Sequence, residues 1–252
     1  MGEQPAIAVP NLFILGAGKC GTTSLHVALG QHPEIHMSAV KEPTFFACWR
    51  RWKGTAADYF RLFETPRNVR YRGESSHAYL SDPDVAPILH RLFPDARLIV
   101  ILRHPARRAH SLYQHMRRHE PEPLATFSEA LAAEPERMCG DWSKLGHYPW
   151  NFFYAESSRY DVQLARYRER FGADRMFVTT LAAMTKRFEE EYGRLCRFLG
   201  LQVAQPAEFP RYNIAPDYPA IDRESRERLA AALSGVTDRV DAMLGCRLDW
   251  SM

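Results

Sequence analysis

The run Asn11-Leu12-Phe13-Ile14-Leu15-Gly16-Ala17-Gly18-Lys19-Cys20-Gly21-Thr22-Thr23-Ser24-Leu25 sets the tightest limit on what this chain can fold into. An apolar segment of strand character breaks at Gly16, Gly18 and Gly21, with Lys19 among them. Thr22, Thr23 and Ser24 then open a segment compatible with a helix. A buried strand that feeds a helix through a glycine-rich turn is the opening unit of a parallel α/β sheet. It also offers backbone N–H donors and the positive end of a helix dipole, which suit a phosphate or sulfate group. Such turns are common, so taken alone the run fits an anion site and a plain turn equally.

The rest of the chain extends the same pattern. Strand-like runs fall at residues 11–15, 69–73, 97–102 and 175–180. Helix-compatible sequence separates them at 22–30, 82–93, 106–118, 160–171 and 186–199, with a helix polar on one face at 224–233. Asp82 and Pro83 are placed to serve as N-cap and first residue of the second helix. Repeats, low-complexity tracts and linkers are absent from this pattern. It predicts one doubly wound α/β domain over residues 1–252, with a central, mostly parallel sheet flanked by helices. Segments 44–63 and 140–154 are rich in aromatics. Most of these rings are expected in the core or as loop anchors, with a few available to wall an acceptor pocket.

Composition narrows the functional classes. A formal charge of +3 suits a small anionic ligand and does not call for nucleic acid. Only five of the 33 basic residues are lysines, which gives Lys19 and Lys41 inside motifs more weight. The five cysteines have no CxxC spacing, so neither a zinc site nor a disulfide framework is expected. Residues 1–10 lack a signal-peptide pattern, and the apolar runs are too short to span a bilayer. The expectation is a cytoplasmic protein with no membrane partner.

Three features carry chemistry. In the first loop the lysine precedes the last glycine, unlike GxxxxGK[ST]. Gly16, Gly18 and Gly21 formally match GxGxxG, but no acidic residue follows at a suitable strand end. The second feature is the run 97–102, which ends in Arg103-His104-Pro105 and leads to Ser111 about two helical turns on. Arg103 and Ser111 could clasp a second phosphate; equally, Arg103 could pair with a carboxylate and Ser111 face solvent. The third is Lys41-Glu42-Pro43-Thr44-Phe45-Phe46. Glu42 precedes proline and is expected to be extended. It reads either as a partly desolvated general base or as half of a surface ion pair.

Together these residues resemble the PAPS-dependent sulfotransferases, especially the heparan sulfate sulfotransferase branch and its bacterial relatives. The resemblance is carried by residues 19–25, His32-Pro33, Lys41-Glu42-Pro43, residues 97–103 with Pro105, Arg108-Ala109, Ser111 and Tyr113-Gln114-His115. It implies the P-loop-like sulfotransferase fold and a donor, 3′-phosphoadenosine 5′-phosphosulfate (PAPS), released as 3′-phosphoadenosine 5′-phosphate (PAP), with no metal. By this resemblance Lys19, Cys20, Gly21, Thr22, Thr23 and Ser24 hold the 5′ end of the nucleotide. Arg103 and Ser111 hold its 3′-phosphate, and Arg211 belongs to a basic loop closing over it. Lys19 and Glu42 are the implied catalytic groups, with Glu42 as general base, and the acceptor is a small molecule such as a secondary metabolite or sugar.

The chain departs from that pattern in two places. Thr44 stands where relatives often have histidine, and Glu74-Ser75-Ser76 stands where they often have Glu-Lys-Ser or Glu-Lys-Thr. His77 lies beside the second departure and is a further acid/base candidate or a structural histidine. A P-loop kinase or NTPase is the competing enzyme class, but residues 98–102 end in Arg103 and not in a magnesium-holding aspartate. A non-catalytic nucleotide-binding module is the competing class without chemistry.

Overall fold

The computed structural model describes residues 8–47, 52–119, 122–204, 208–210, 212 and 218–251. Along the chain these form β1 (Leu12–Gly16), α1 (Thr22–Gly30), β2 (Ile35–Met37), α2 (Ala56–Arg61), β3 (Tyr71–Ser75), α3 (Ala78–Ser81), α4 (Val85–Leu92) and β4 (Arg97–Leu102). There follow α5 (Pro105–His119), α6 (Phe127–Cys139), α7 (Tyr160–Phe171), β5 (Met176–Thr180), α8 (Leu181–Lys186), α9 (Phe188–Leu199), α10 (Arg223–Ala232) and α11 (Val236–Leu244). The strands pair in the order β2-β3-β1-β4-β5, and every pairing is parallel. β1 and β5 are buried along their whole length, as a sheet covered on both faces requires. Burial of apolar surface against the helices drives this arrangement, at roughly 25 cal/mol per Å².

The topology places the chemistry. β1 is central, with β3 on one side and β4 on the other. The C-terminal ends of β3, β1 and β4 therefore converge on one crevice, where open α/β sheets bind ligands.

Several sequence expectations shift. The run expected at 69–73 is β3 two residues later, because its C-terminal half is a buried Glu74-Ser75 that apolar patterning does not register. β2 was not expected; three residues are too few to show alternation. Asp82 is not a helix N-cap. The helix begins at Val85, and the Asp82 carboxylate instead accepts from Asp84 N at 3.0 Å. The expected 186–199 helix starts two residues later as α9, and α8, which was not expected, precedes it. α6 was missed although Thr126 and Glu129 form a capping box before an apolar run. No helix among the described residues is long and apolar enough to cross a membrane. Cys20, Cys139, Cys196 and Cys246 are free thiols, and Cys48 lies outside the described residues.

Candidate active site

The loop after β1 is tied to the neighbouring strand β4 by Ala17 N donating to Ile101 O at 2.8 Å. α1 then starts from Gly21, whose φ of 91° favours glycine. A Cβ there would also lie 2.8 Å from Leu181 Cδ1. No side chain caps this helix, and no acidic residue lies in its first turn. The first intrahelical bond runs from Leu25 N to Gly21 O, so the N–H groups of Thr22, Thr23 and Ser24 have no partner within the helix. That leaves an anion cradle at the mouth of the crevice.

Cations surround the cradle. Burial lowers the Lys19 ammonium pKa; the neighbouring Cys20 opposes this, and the charges of Arg103, Arg108 and Arg118 lower it further. The ion pairs among the described residues involve none of Lys19, Arg103 and Arg108. Arg108 is 1% exposed. Its Nε donates to Gly18 O at 3.2 Å, and its Nη1 donates to the Ser157 and Ser158 hydroxyls. These bonds hold the Gly18 carbonyl from behind and tie the loop to α5. Ser111 is buried on the same helix, α5.

Cys20 is arranged differently from its neighbours. Its thiol is fully buried beside Gly18 O and the Tyr160 hydroxyl, and burial pushes it up to about 11. Its amide donates to Ala17 O at 3.3 Å. The Cys20 side chain is therefore a packing group inside the fold. Ser24 Oγ accepts from Tyr212 N at 3.3 Å, which brings Tyr212 against the start of α1. Arg211 lies outside the described residues.

On the other side of β1, Glu42 meets His77. Glu42 Oε2 accepts from His77 N at 2.8 Å and lies 2.7 Å from His77 Nδ1. Oε1 pairs with Lys41 Nζ, which also donates to Thr22 Oγ1 at 3.4 Å. Burial pushes the Glu42 carboxyl up, but the charges and hydrogen bonds of His77 and Lys41 outweigh it and hold the group well below the carboxylate range. The expected extended backbone is not found. Glu42 has φ of 60° and Thr44 φ of 50°. Surrounding bonds hold this costly conformation in place: Glu42 N donates to Ser75 O at 2.9 Å, and Thr44 N donates to Ser76 Oγ at 3.0 Å.

The two halves of the site touch at Gly18. A Cβ on Gly18 would lie 2.8 Å from His77 Cδ2. Gly18→Ala is expected to push the imidazole off Glu42 and reduce turnover about 10- to 100-fold while the melting temperature changes little. Steady-state kinetics and a thermal melt check this. His115 on α5 faces the same space: burial and the charges of Lys19, His119, His77 and His147 lower its pKa to about 4.

The aromatic segments are mainly core. Phe46, Tyr59, Tyr148, Trp150, Phe152, Phe153 and Tyr154 are all at most 8% exposed. Two groups escaped the sequence reading. Arg108 was seen only as part of a motif, and its burial has no local signal. Glu74 was seen only as the start of a departure, yet it is fully buried with three hydroxyl donors.

Comparison with known proteins fits this geometry. Residues 11–218 match the sulfotransferase domain family. A sulfotransferase structure from Alicyclobacillus acidocaldarius is 32% identical, with a TM-score of 0.79, over 96% of this chain and 98% of that one. The mouse bifunctional heparan sulfate N-deacetylase/N-sulfotransferase 1 is 36% identical over 144 residues, covering 53% of this chain and 16% of the mouse protein. A mouse sulfotransferase complexed with PAP shares the fold at 14% identity and a TM-score of 0.52, over 92% of this chain and 66% of that one. The chain belongs to the PAPS-dependent sulfotransferase family.

Proposed function

We propose that residues 1–252 form one catalytic domain that transfers a sulfuryl group from PAPS to a hydroxyl of a small-molecule acceptor, such as a secondary metabolite or sugar. The observation that carries this reading is an uncapped helix N-terminus beside Lys19, Arg103 and Arg108, which form no ion pair among the described residues, with Glu42 and His77 across the crevice. PAPS supplies an activated sulfuryl group whose leaving group is the nucleotide PAP. The N–H groups of Gly21, Thr22, Thr23 and Ser24 would bind its 5′ end. Lys19 would neutralise charge growing on the bridging oxygen. Arg103 and Ser111 would hold the 3′-phosphate, with Arg211 closing over it. Glu42 would take the acceptor proton, oriented by His77. Positioning and charge stabilisation contribute most in such a transfer. No role in this scheme is given to a metal ion. The proposed setting is the cytoplasm of a bacterium.

The N-sulfotransferase among the relatives favours an amine as the second acceptor class. Labelled PAPS offered with hydroxyl and amine acceptors in parallel separates the two. The donor assignment has its own check. PAP is expected to raise the melting temperature by mass action, and ATP with Mg²⁺ to raise it less. Equal or greater stabilisation by ATP with Mg²⁺ would overturn PAPS as donor.

A further inference from the structure

Glu74 lies at the end of β3, fully buried, and is given no role in the scheme above. Its Oε1 accepts from Tyr59 Oη at 2.5 Å and Tyr79 Oη at 2.9 Å; its Oε2 accepts from Ser76 Oγ at 2.7 Å. Two of these hydroxyls are committed on their other side. Ser76 Oγ accepts from Thr44 N at 3.0 Å, and Tyr79 Oη accepts from Phe46 N at 3.4 Å. A hydroxyl has one proton. A hydroxyl oriented to accept a backbone N–H therefore turns that proton to the carboxylate. Thr44 and Phe46 follow Glu42 in the same loop.

We propose that Glu74 is a positioning residue: its carboxylate orients the Ser76 and Tyr79 hydroxyls that hold the backbone of Thr44 and Phe46, and thereby fixes the loop that presents Glu42. The inference deepens the reading of Glu42 as general base and rests on it for its effect on turnover. All three hydroxyls can donate to Glu74 only when it is ionised. A neutral carboxyl carries its own O–H, and one of the inward-pointing hydroxyls must turn to accept it.

Ionisation is opposed by the surroundings. Burial pushes the Glu74 carboxyl up to about 7; the three hydroxyls pull it down, and the Glu42 charge raises it. The groups facing it are Tyr59 from α2, Tyr79 from α3, Ser76 after β3 and Glu42 from the loop. Both phenols are held well above their usual range by burial, so they stay neutral donors. The sign for stability follows. A carboxyl with a raised folded-state pKa favours the fold most below the unfolded value, and that contribution is lost as pH rises through about 7. The loop is held best above neutrality, where Glu74 helps the fold least.

The test uses the full chain with Glu74→Gln and Ser76→Ala. Amide hydrogen exchange at Thr44 and Phe46, corrected for intrinsic rate, is expected to speed up in wild type as pH falls through 7. In Glu74→Gln it is expected to be fast at every pH. With PAPS and an acceptor, Glu74→Gln should lower kcat about 10- to 100-fold at pH 8 and leave the donor KM within about twofold. It should also abolish the acid limb that wild type shows near pH 7. Ser76→Ala should lower kcat and release Thr44 while keeping that limb. Wild-type kcat and pH profile in Glu74→Gln, or unchanged exchange at Thr44 and Phe46, would overturn the proposal. Should Glu42→Gln prove fully active while Glu74→Gln still releases both amides, the clamp stands and Glu42 as base falls.

Discussion

Glu42→Gln leaves PAP binding intact and lowers kcat by roughly 10²–10⁴-fold, the usual contribution of a general base. The amide keeps the size of the carboxyl and can still accept from His77 N, so the loop should hold its place. Basicity is lost, and with it the charge that pairs with Lys41 and His77. PAP-induced thermal stabilisation and single-turnover kinetics measure the two effects separately. Turnover at the wild-type rate would remove Glu42 from the proton-transfer step. His77→Ala then becomes the deciding variant, because the imidazole touches both Glu42 and the Gly18 loop. The pH dependence has a definite sign. The Glu42 carboxyl is depressed by its partners, so its contribution to stability is full above the unfolded value and disappears in acid, below that value.

Arg108→Met weakens PAP binding about 10- to 100-fold, where each tenfold is about 1.4 kcal/mol. Arg108 is a buried cation that donates to a carbonyl and two hydroxyls, all neutral. In the free protein that charge has no opposite charge beside it among the described residues; a bound anion would provide one. Removing it therefore harms the complex more than the free chain. The free chain still loses donors to Gly18 O, Ser157 and Ser158, at about 1–3 kcal/mol for each buried acceptor left unpaired. Calorimetric titration with PAP and a melt of the free protein check the difference. A drop in melting temperature with unchanged affinity would make Arg108 a structural residue only.

The parts of the site legible in the sequence are those whose signal is local. Gly16 to Ser24 announced a strand, a turn and a helix start in one run. Arg103 announced itself by ending an apolar strand. Glu42 stood in a short motif beside proline and aromatics. The pairing of Glu42 with His77 was not legible, because it joins residues 35 apart in the loops that follow the paired parallel strands β2 and β3. Glu74 hid for a related reason. A carboxylate at the end of a strand-like run reads as the place where the strand surfaces, and only the packing of α2 and α3 reveals the hydroxyls that allow its burial. Arg108 was one of many arginines, distinguished by depth alone.

Lys19 and Glu42 stand on opposite sides of the proposed transfer, and both occupy left-handed backbone, with φ of 68° and 60°. For a residue other than glycine that conformation costs on the order of 1–3 kcal/mol. Glycine would relieve the cost at either position and would delete the group that the proposed chemistry uses. Selection for thermal stability alone would drift toward glycine at these two codons and would discard both proposed catalytic groups in doing so.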